Sequence, residues 1–324
     1  MPAQSRRLLR RKLVRWLALV GSVVVIAVIV LFAAAWMRSP ATSGVLSLAR
    51  SRVGSLGGTP VSLSAISPVL EQAVVDTEDE RFYRHHGVDL IGVGRALVYD
   101  MSHANTSQGA STITEQLVKD LYLGGDDHSP WRKLEAAAMA LRVEHHTTKA
   151  QILDAYLNTV YFGHGAYGVE AAARGYLGVS AATLTPAQAT LLAGLIQAPS
   201  ADDPFTDPAD ARGRQVEVIS SMVRRGDMTT AQGDRILSTP LALRGGAPLP
   251  SVPHPVLTAP SNFSGQDAIA GLLAILGGVA IWVVGRRRDG PSRGQWARLP
   301  RSSACSSSPG RFARTEAPPI LTSR

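Results

Sequence analysis

The chain has 324 residues, a formal net charge of +8 at pH 7 and an isoelectric point of about 10.0. Its single cysteine, Cys305, excludes an internal disulfide, so the fold must be stabilised by packing or by lipid. A basic protein can bind nucleic acid, anionic lipid or a phosphorylated substrate, but this sequence contains no nucleic-acid-binding motif, and two apolar segments favour a membrane.

The first apolar segment, residues 14–36, is long enough to span a bilayer. With a rise of ~1.5 Å per residue, such a helix covers the roughly 30 Å hydrocarbon core. It follows a basic tail, residues 1–13, so the positive-inside rule predicts a cytoplasmic N-terminus and an extracellular domain held at the cell membrane. A cleaved signal peptide is the alternative, although the segment is long for one.

A second apolar segment occurs near the C-terminus. Residues 263–285 are predicted as a second transmembrane helix, and the three arginines at 286–288 favour a cytoplasmic end. A buried or interfacial helix is the alternative, because the apolar core is near the lower length limit for a span. The composition of residues 241–262 and 286–324 predicts a linker and a basic disordered tail.

Residues 67–240 are predicted to form a mainly α-helical domain, preceded by a membrane-proximal spacer at 37–66. Alternating β patterns are scarce, and helix-start signals recur. A proline occupies the first helical position after Ser67 and again after Ser129. The other predicted helix starts are Thr185 with Gln188 and Thr229 with Gln232.

Three blocks within this domain carry the chemical information. They are residues 78–89 (EDERFYRHHGVD), 109–120 (GASTITEQLVKD) and 156–163 (YLNTVYFG). In this order and spacing they resemble the glycosyltransferase family 51 domain, and the resemblance extends from about residue 68 to residue 200. The resemblance implies a lysozyme-like helical fold and the polymerisation of lipid II into the glycan strands of peptidoglycan.

Glu78 occupies the position of the family's catalytic base. A general base works best when burial raises the pKa of its carboxyl group toward the working pH, and the neighbouring Val74, Val75 and Phe82 favour such burial. Without the surrounding block, an exposed acidic turn would be the usual interpretation of a Glu-Asp pair. By the same resemblance, Phe82 and His85 shape the substrate-binding cleft.

Thr112, Gln116 and Lys119 are spaced at i, i+4 and i+7, so they would share one face of a helix. A hydroxyl, an amide and an ammonium group on one face suit a sugar diphosphate, and in the family these positions line the donor site. A lone lysine is usually solvated, but only three of the chain's lysines lie outside the N-terminal tail.

Arg132 and Lys133 follow the Ser129-Pro130 signal and therefore fall in the first turn of a predicted helix. Cations usually favour the C-terminal end of a helix, so two cations near the N-terminus indicate a bound anion. Helix N-terminal amides together with these side chains would bind a diphosphate. A solvated pair of side chains is the alternative.

The next family block departs from its usual pattern. It commonly reads Arg-Lys-x-x-Glu, but here Ala136 takes the glutamate position and Glu135 lies one residue earlier. One residue turns a helical side chain by about 100°, so Glu135 is expected on the far side of Arg132. We retain Glu135 as a second catalytic candidate, with Glu115 as a residue that could compensate. Glu115 and Asp120 are acidic where the family commonly has Gln and Asn.

The predicted function is that of a membrane-anchored peptidoglycan glycosyltransferase. Glu78 would activate the 4-hydroxyl of the lipid II acceptor, and the cations would stabilise the undecaprenyl diphosphate of the donor glycan as it leaves. The resemblance requires no cofactor but leaves room for a divalent cation such as Mg²⁺, and we predict no set of metal ligands. The expected partners are the lipid bilayer and other cell-wall synthases, including transpeptidases.

The Ser-x-x-Lys and Lys-Thr-Gly motifs of penicillin-binding transpeptidases are absent, so we expect a monofunctional enzyme. Two alternatives stay open. A lysozyme-like enzyme would cleave glycan with Glu78 as its acid, although cleavage gives no reason for a cationic diphosphate site. A non-catalytic scaffold that binds lipid II or partner synthases would explain the alanine at position 136.

Overall fold

The computed structural model describes residues 3–103, 111–124, 129–246 and 249. Within these residues the regular structure is helical apart from isolated β-bridges, which confirms the prediction of a mainly α fold. The predicted second transmembrane helix, most of the predicted linker and the basic tail lie outside the described residues.

The α-helices follow one another along the chain with short connections. They are α1 (Ala3–Arg38), α2 (Val45–Ser55), α3 (Pro68–Glu78), α4 (Leu90–His103), α5 (Ile113–Val118), α6 (Pro130–His146), α7 (Lys149–Thr159), α8 (Val169–Ala172), α9 (Pro186–Leu195), α10 (Pro208–Arg225) and α11 (Thr230–Ser238). Wider π-helical turns continue α5 through Lys119–Leu123 and α8 through Ala173–Leu177. Short 3₁₀ turns occur at Leu63–Ala65, Phe82–Arg84 and Ala181–Thr183.

Helix α1 contains the predicted membrane span. The most apolar 18-residue stretch within its segment Lys12–Arg38 has a mean hydropathy of 3.0 and is not buried against the rest of the protein. In the part of the chain that the structure describes, this is the one helix long and apolar enough to cross a bilayer. The apolar side chains of this stretch are left uncovered by the protein, as in a helix suited to a lipid environment.

The helix starts predicted from the sequence are confirmed. At α6, the Ser129 hydroxyl accepts a backbone N–H bond from the first turn. At α9 and α11, Thr185 and Thr229 form complete capping boxes. Helix α3 begins at Pro68 as predicted, but the Ser67 side chain makes no cap hydrogen bond, so the restricted backbone of proline is the local signal there.

Two groups of helices meet in the hydrophobic core. Helices α3, α9 and α10 pack on one another, whereas α7 packs on α2 and α5, and α5 also packs on α6. The largest fully buried side chains include Phe82, Tyr156, Phe162 and Tyr176. Because α5 is short and contacts both α6 and α7, its polar residues are brought next to the first turn of α6.

The interval 37–66, predicted as a spacer, is folded onto the domain instead. Helix α2 packs against α7 and buries Val45, Ala49 and Val53. Their spacing of four residues is a helical signal, but the many small and polar residues around them obscured it.

Asn158 is buried and holds the segment before α3 in place. Its side chain accepts a hydrogen bond from the Val61 backbone N–H at 2.9 Å and donates to the Val61 carbonyl at 2.8 Å. It also donates to the Asp154 carbonyl within α7 at 2.7 Å. These bonds tie the entry to α3 directly to α7.

A tight turn joined by a β-bridge between Tyr161 and Tyr167 follows α7. Gly163 lies in this turn with a φ of 90°, and a Cβ atom there would lie 2.3 Å from the Pro199 carbonyl oxygen. Gly165 in the same turn has a φ of 74° but open space around it. Both glycines therefore adopt a backbone conformation that other residues rarely adopt, but only Gly163 lies too close to the Pro199 backbone to accommodate a side chain.

We expect Gly163→Ala to lower the free energy of unfolding more than Gly165→Ala. A left-handed backbone costs a non-glycine residue about 1–2 kcal/mol, which applies to both variants. In Gly163→Ala the Pro199 backbone must also move. Thermal unfolding of the full chain in detergent micelles measures the difference, and equal midpoints for the two variants would contradict the close approach.

Candidate active site

A cleft of about 690 Å³ opens beside α5 and the first turn of α6, within the usual size range of small-molecule sites. The π-helical turn after α5 and the N-terminus of α6 form one side. The opposite side is formed by the turn after α7 and by the segment that follows α9. A second cavity between α2 and α7 is lined mainly by small and apolar residues, with Arg50 as its one cation among the described residues, so the first cleft is the candidate site.

Among the described residues, four cationic side chains line the cleft: Arg52, Lys119, Arg132 and Lys133. They come from α2, from the end of α5 and from α6, so the fold rather than the sequence brings them together. A cluster of like charge in one cleft raises the local potential and favours an anion. The backbone N–H groups at the N-terminus of α6 add to this effect, since Ser129 also lines the cleft.

Glu78 is the last residue of α3 and lies beside the cleft rather than in its lining. Its Oε2 accepts a hydrogen bond from Gln116 Nε2 at 2.9 Å, and Gln116 lines the cleft. The hydroxyl of the fully buried Tyr156 donates to Gln116 Oε1 at 2.8 Å. Tyr156 thus fixes the amide so that its NH₂ group faces the Glu78 carboxylate.

Burial raises the pKa of the Glu78 carboxyl group above its ordinary value. The hydrogen bond from Gln116 and the charge of Arg214 act in the opposite direction, and the charge of Asp79 adds to the rise in pKa. Val74, Val75 and Phe82 are themselves buried, which agrees with the environment expected from the sequence. A raised pKa makes this carboxylate a better proton acceptor than an exposed one.

Phe82 and His85, predicted to bind substrate, are buried and lie outside the cleft lining. The His85 Nε2 atom lies 2.9 Å from both carboxylate oxygens of Asp79. Asp79 Oδ2 also accepts the Ile113 backbone N–H at 3.0 Å. Phe82 packs in the core, with the Lys149 ammonium 4.4 Å from its ring centroid. In this structure both predicted residues support the junction of α3 and α5 instead of facing a ligand.

Thr112 also departs from its prediction. It is the N-cap of α5, and its hydroxyl donates to the Gly87 carbonyl at 2.7 Å and accepts the Glu115 backbone N–H at 3.1 Å. The capping box turns the hydroxyl into the protein, where Thr112 is 2 % exposed. Gln116 and Lys119 line the cleft, whereas Thr112 does not.

The expected 100° offset between positions 135 and 136 is present in α6. Ala136 lines the cleft, whereas Glu135 is not part of the lining. Glu135 Oε1 accepts a hydrogen bond from Trp131 Nε1 at 2.8 Å, and its Oε2 lies 3.8 Å from Arg132 Nη1. These contacts hold the second catalytic candidate away from the cleft.

Two carboxylates, Glu115 and Asp120, line the described part of the cleft. The Glu115 carboxylate accepts the Thr112 backbone N–H at 2.8 Å and so completes the capping box. Asp120 makes no hydrogen bond or close ion pair with the described residues; burial raises its pKa to about 6, and the charges of Lys119 and Arg52 oppose that rise. The described residues contain no group of three His, Cys, Asp or Glu side chains that could hold a metal ion.

Several cleft residues were not identified as site residues from the sequence. Arg52 lies in the predicted spacer, and Asp120 was noted only as an acidic departure from the family pattern. Tyr161 lies in the third sequence block without an assigned role, and Tyr167 lies outside the three blocks. The rings of these two tyrosines lie 4.7 Å apart and form an aromatic part of the cleft wall. Their spacing of six residues does not predict this contact, because it depends on the turn between them, which brings the two rings together.

Comparison with known proteins identifies the family of this domain. A profile for the family described as Transglycosylase matches residues 50–223. A protein named as a transglycosylase in Cupriavidus necator is 45% identical over 57% of this chain and 79% of its own length. Penicillin-binding protein 2D of Bacillus subtilis and penicillin-binding protein 1A of Escherichia coli are 39% and 41% identical over 56% and 54% of this chain.

The chain spans 26% and 21% of the length of those two penicillin-binding proteins. Among solved structures, penicillin-binding protein 1A from Haemophilus influenzae covers 57% of this chain and 18% of its own, with 22% identity and a TM-score of 0.35.

We expect Gln116→Met to raise the pKa of Glu78 further. The Gln116 hydrogen bond favours the charged form and lowers the pKa of Glu78, so its removal moves the titration to higher pH. Carbon-13 NMR of labelled glutamate carboxyl groups measures this shift, with the Glu78 signal assigned by its loss in Glu78→Gln. Gln151→Met is the matched control, because the exposed Gln151 caps α7 and makes no hydrogen bond to Glu78. An unchanged titration in Gln116→Met would show that the bond does not tune Glu78.

Proposed function

This chain belongs to the transglycosylase family, and we propose that it polymerises lipid II into peptidoglycan glycan strands at the outer face of a cell membrane. One observation carries the proposal: the partly buried Glu78 is hydrogen-bonded to Gln116, which lines a cleft containing four cations among the described residues. A base and an anion site side by side are what transfer of a sugar from a diphosphate requires.

In the proposed reaction, Glu78 acts on the acceptor. Its carboxylate takes the proton from the 4-hydroxyl of the lipid II N-acetylglucosamine as that oxygen attacks the anomeric carbon of the donor glycan. The new glycosidic bond forms while the bond to the donor's diphosphate breaks, and the anomeric configuration inverts. Gln116 keeps the carboxylate oriented, because its own amide is fixed by Tyr156.

The cleft cations act on the donor. Lys119, Arg132 and Lys133 stabilise the negative charge that collects on the undecaprenyl diphosphate as it leaves, and the α6 N-terminus contributes in the same direction. Arg52 extends this cationic surface from the side of α2. We route no step through a metal ion, since the described residues do not form a site for one.

Helix α1 supports a membrane location for the reaction. The isoprenoid tail of the substrate stays in the bilayer, so the cleft must work close to a membrane surface. The basic residues before the apolar segment favour a cytoplasmic N-terminus, which would put the cleft outside the cell. The 324 residues contain no Ser-x-x-Lys or Lys-Thr-Gly motif, so the proposal includes no transpeptidase activity for them.

The alternatives are weakened by the cleft. A glycan-cleaving enzyme needs carboxylates around a glycosidic bond and no cationic diphosphate site. A scaffold that only binds lipid II needs the cations but gives no reason for a partly buried carboxylate with a raised pKa beside them. Purified protein given lipid II and finished peptidoglycan separates the hypotheses, because a polymerase makes polymer from the first, a hydrolase releases fragments from the second, and a scaffold does neither.

Glu78→Gln is expected to reduce lipid II polymerisation by about 10²–10⁴-fold, the usual effect of losing a general base. The amide keeps the shape of the side chain but cannot accept the hydroxyl proton. A gel assay of labelled lipid II in detergent measures the loss. Glu71→Gln is the matched control, since Glu71 is on the same helix, also has a pKa raised by burial, and does not line the cleft. Full activity in Glu78→Gln would remove the proposed base.

Ala136→Glu is expected to increase the polymerisation rate. Position 136 faces the cleft, so a glutamate there would place a carboxylate among the substrate-binding cations, where the family pattern has one. Ala136→Gln controls for the added volume without charge, and Glu135→Gln tests whether the side chain held by Trp131 contributes. The same assay serves for all three. A gain in Ala136→Gln equal to that in Ala136→Glu would show that charge at this position is irrelevant.

A further inference from the structure

Arg142 joins the end of the membrane helix to the helix that carries the cleft cations. Its guanidinium donates from Nη1 to the Ser39 carbonyl at 3.0 Å and from Nη2 to the Trp36 carbonyl at 2.5 Å. The same group lies over the Trp36 ring, 4.5 Å from its centroid. Ala35, one residue earlier on α1, is fully buried. Helices α1 and α6 pack on each other here.

These contacts satisfy a specific need of the membrane helix. The last carbonyl groups of a helix have no partner within it, and a cation near that end is favoured by the helix dipole. Arginine meets both needs at once, because its planar fork donates two hydrogen bonds while its face stacks on an aromatic ring. Lysine carries the charge but cannot make this double contact. The contact set is therefore specific to arginine at position 142.

The position of Arg142 on α6 relates the cleft to the bilayer. Lys133 and Arg142 are nine residues apart on one continuous helix, which corresponds to about 14 Å along its axis. Trp36 ends the apolar stretch of α1, where tryptophan is enriched at the membrane–water interface. A clamp at Arg142 thus sets the offset between the interface and the cations at the other end of α6.

We propose that Arg142 is a positioning residue that clamps the end of α1 to α6 and holds the cationic cleft at a fixed place relative to the bilayer. This inference rests on the proposed function only for its consequence, which is access to a diphosphate whose lipid tail stays in the membrane. Without the clamp, residues 39–44 would act as a loose tether, and the cleft would meet membrane-bound substrate less often. The chemistry within the cleft would be unaffected.

The activity test compares two substrate formats with the full-length chain. In liposomes containing lipid II, Arg142→Ala should reduce the polymerisation rate by about tenfold or more, because the variant loses two hydrogen bonds from a charged group and the stacking on Trp36. With a short-chain, water-soluble lipid II analogue in detergent, the same variant should stay close to the unsubstituted chain. In liposomes, the polymerisation rate of Arg142→Lys should lie between those of Arg142→Ala and the unsubstituted chain. Arg235→Ala is the matched control, because that exposed arginine bonds within its own helix.

A distance measurement tests the clamp itself. Spin labels at Met37, which is 76% exposed, and at Ala150 on α7 report the position of α1 relative to the domain, with Cys305→Ser removing the native thiol. Arg142→Ala should broaden the distance distribution without lowering the thermal midpoint of the domain.

The outcomes separate this inference from the proposed function. Equal losses in both substrate formats, or an unchanged distance distribution, would overturn the clamp. If the unsubstituted chain fails to polymerise lipid II in either format, the proposed function fails, and the distance distribution still decides whether Arg142 clamps α1.

Discussion

The buried carboxylate of Asp79 joins the two chain segments on which the site is built. Its Oδ1 atom lies 2.9 Å from the His85 ring nitrogen Nε2, and its Oδ2 atom accepts a hydrogen bond from the Ile113 backbone N–H at 3.0 Å. Asp79 follows the last residue of α3, and Ile113 is the first residue of α5. This contact therefore fixes the position of the end of α3 relative to the start of α5. The hydrogen bond between Glu78 and Gln116 lies at the same junction. A buried charge that loses a partner costs about 3–5 kcal/mol, so the geometry of the base depends on this carboxylate staying paired.

The polar residues of the sequence blocks divide into those that build the junction and those that face the cleft. Buried polar groups need hydrogen-bond partners, and the short α5 has few turns in which to provide them. Thr112 and His85 are used in this way, whereas Glu115 completes the capping box of α5 and also lines the cleft. Gln116 and Lys119 then remain on the side that faces the cleft. Each sequence block thus contains residues that face the cleft and residues that hold the local structure. Sequence spacing alone does not distinguish these two kinds of residue.

Local signals in the sequence predicted much of this fold, and long-range contacts account for most of what was missed. Pro68 and Pro130 marked helix starts correctly because their effect is confined to one turn. Helix geometry alone predicted that the Glu135 side chain points in a different direction from that of Ala136. Arg52, by contrast, reaches the cleft only because α2 packs on α7, a contact between segments about a hundred residues apart. The helical spacing of Thr112 misled because a capping threonine lies outside the helix that it begins.

The arrangement of charges separates proton transfer from anion binding. Glu78 is hydrogen-bonded to Gln116 and is not among the residues that line the cleft with the cations. Burial is the largest influence on its pKa and raises it, so the carboxylate becomes a better proton acceptor. Asp120 lies among the cations, and with a pKa of about 6 it is charged at neutral pH and partly offsets Lys119 and Arg52. As the pH falls through about 6, protonation of Asp120 leaves the cleft more positive, which favours a diphosphate. Protonation of Glu78 would instead remove the proposed base, so acid acts on the two carboxyl groups with opposite consequences. A base placed directly among the cations would have a lowered pKa and would lose the basicity that the proposed reaction needs.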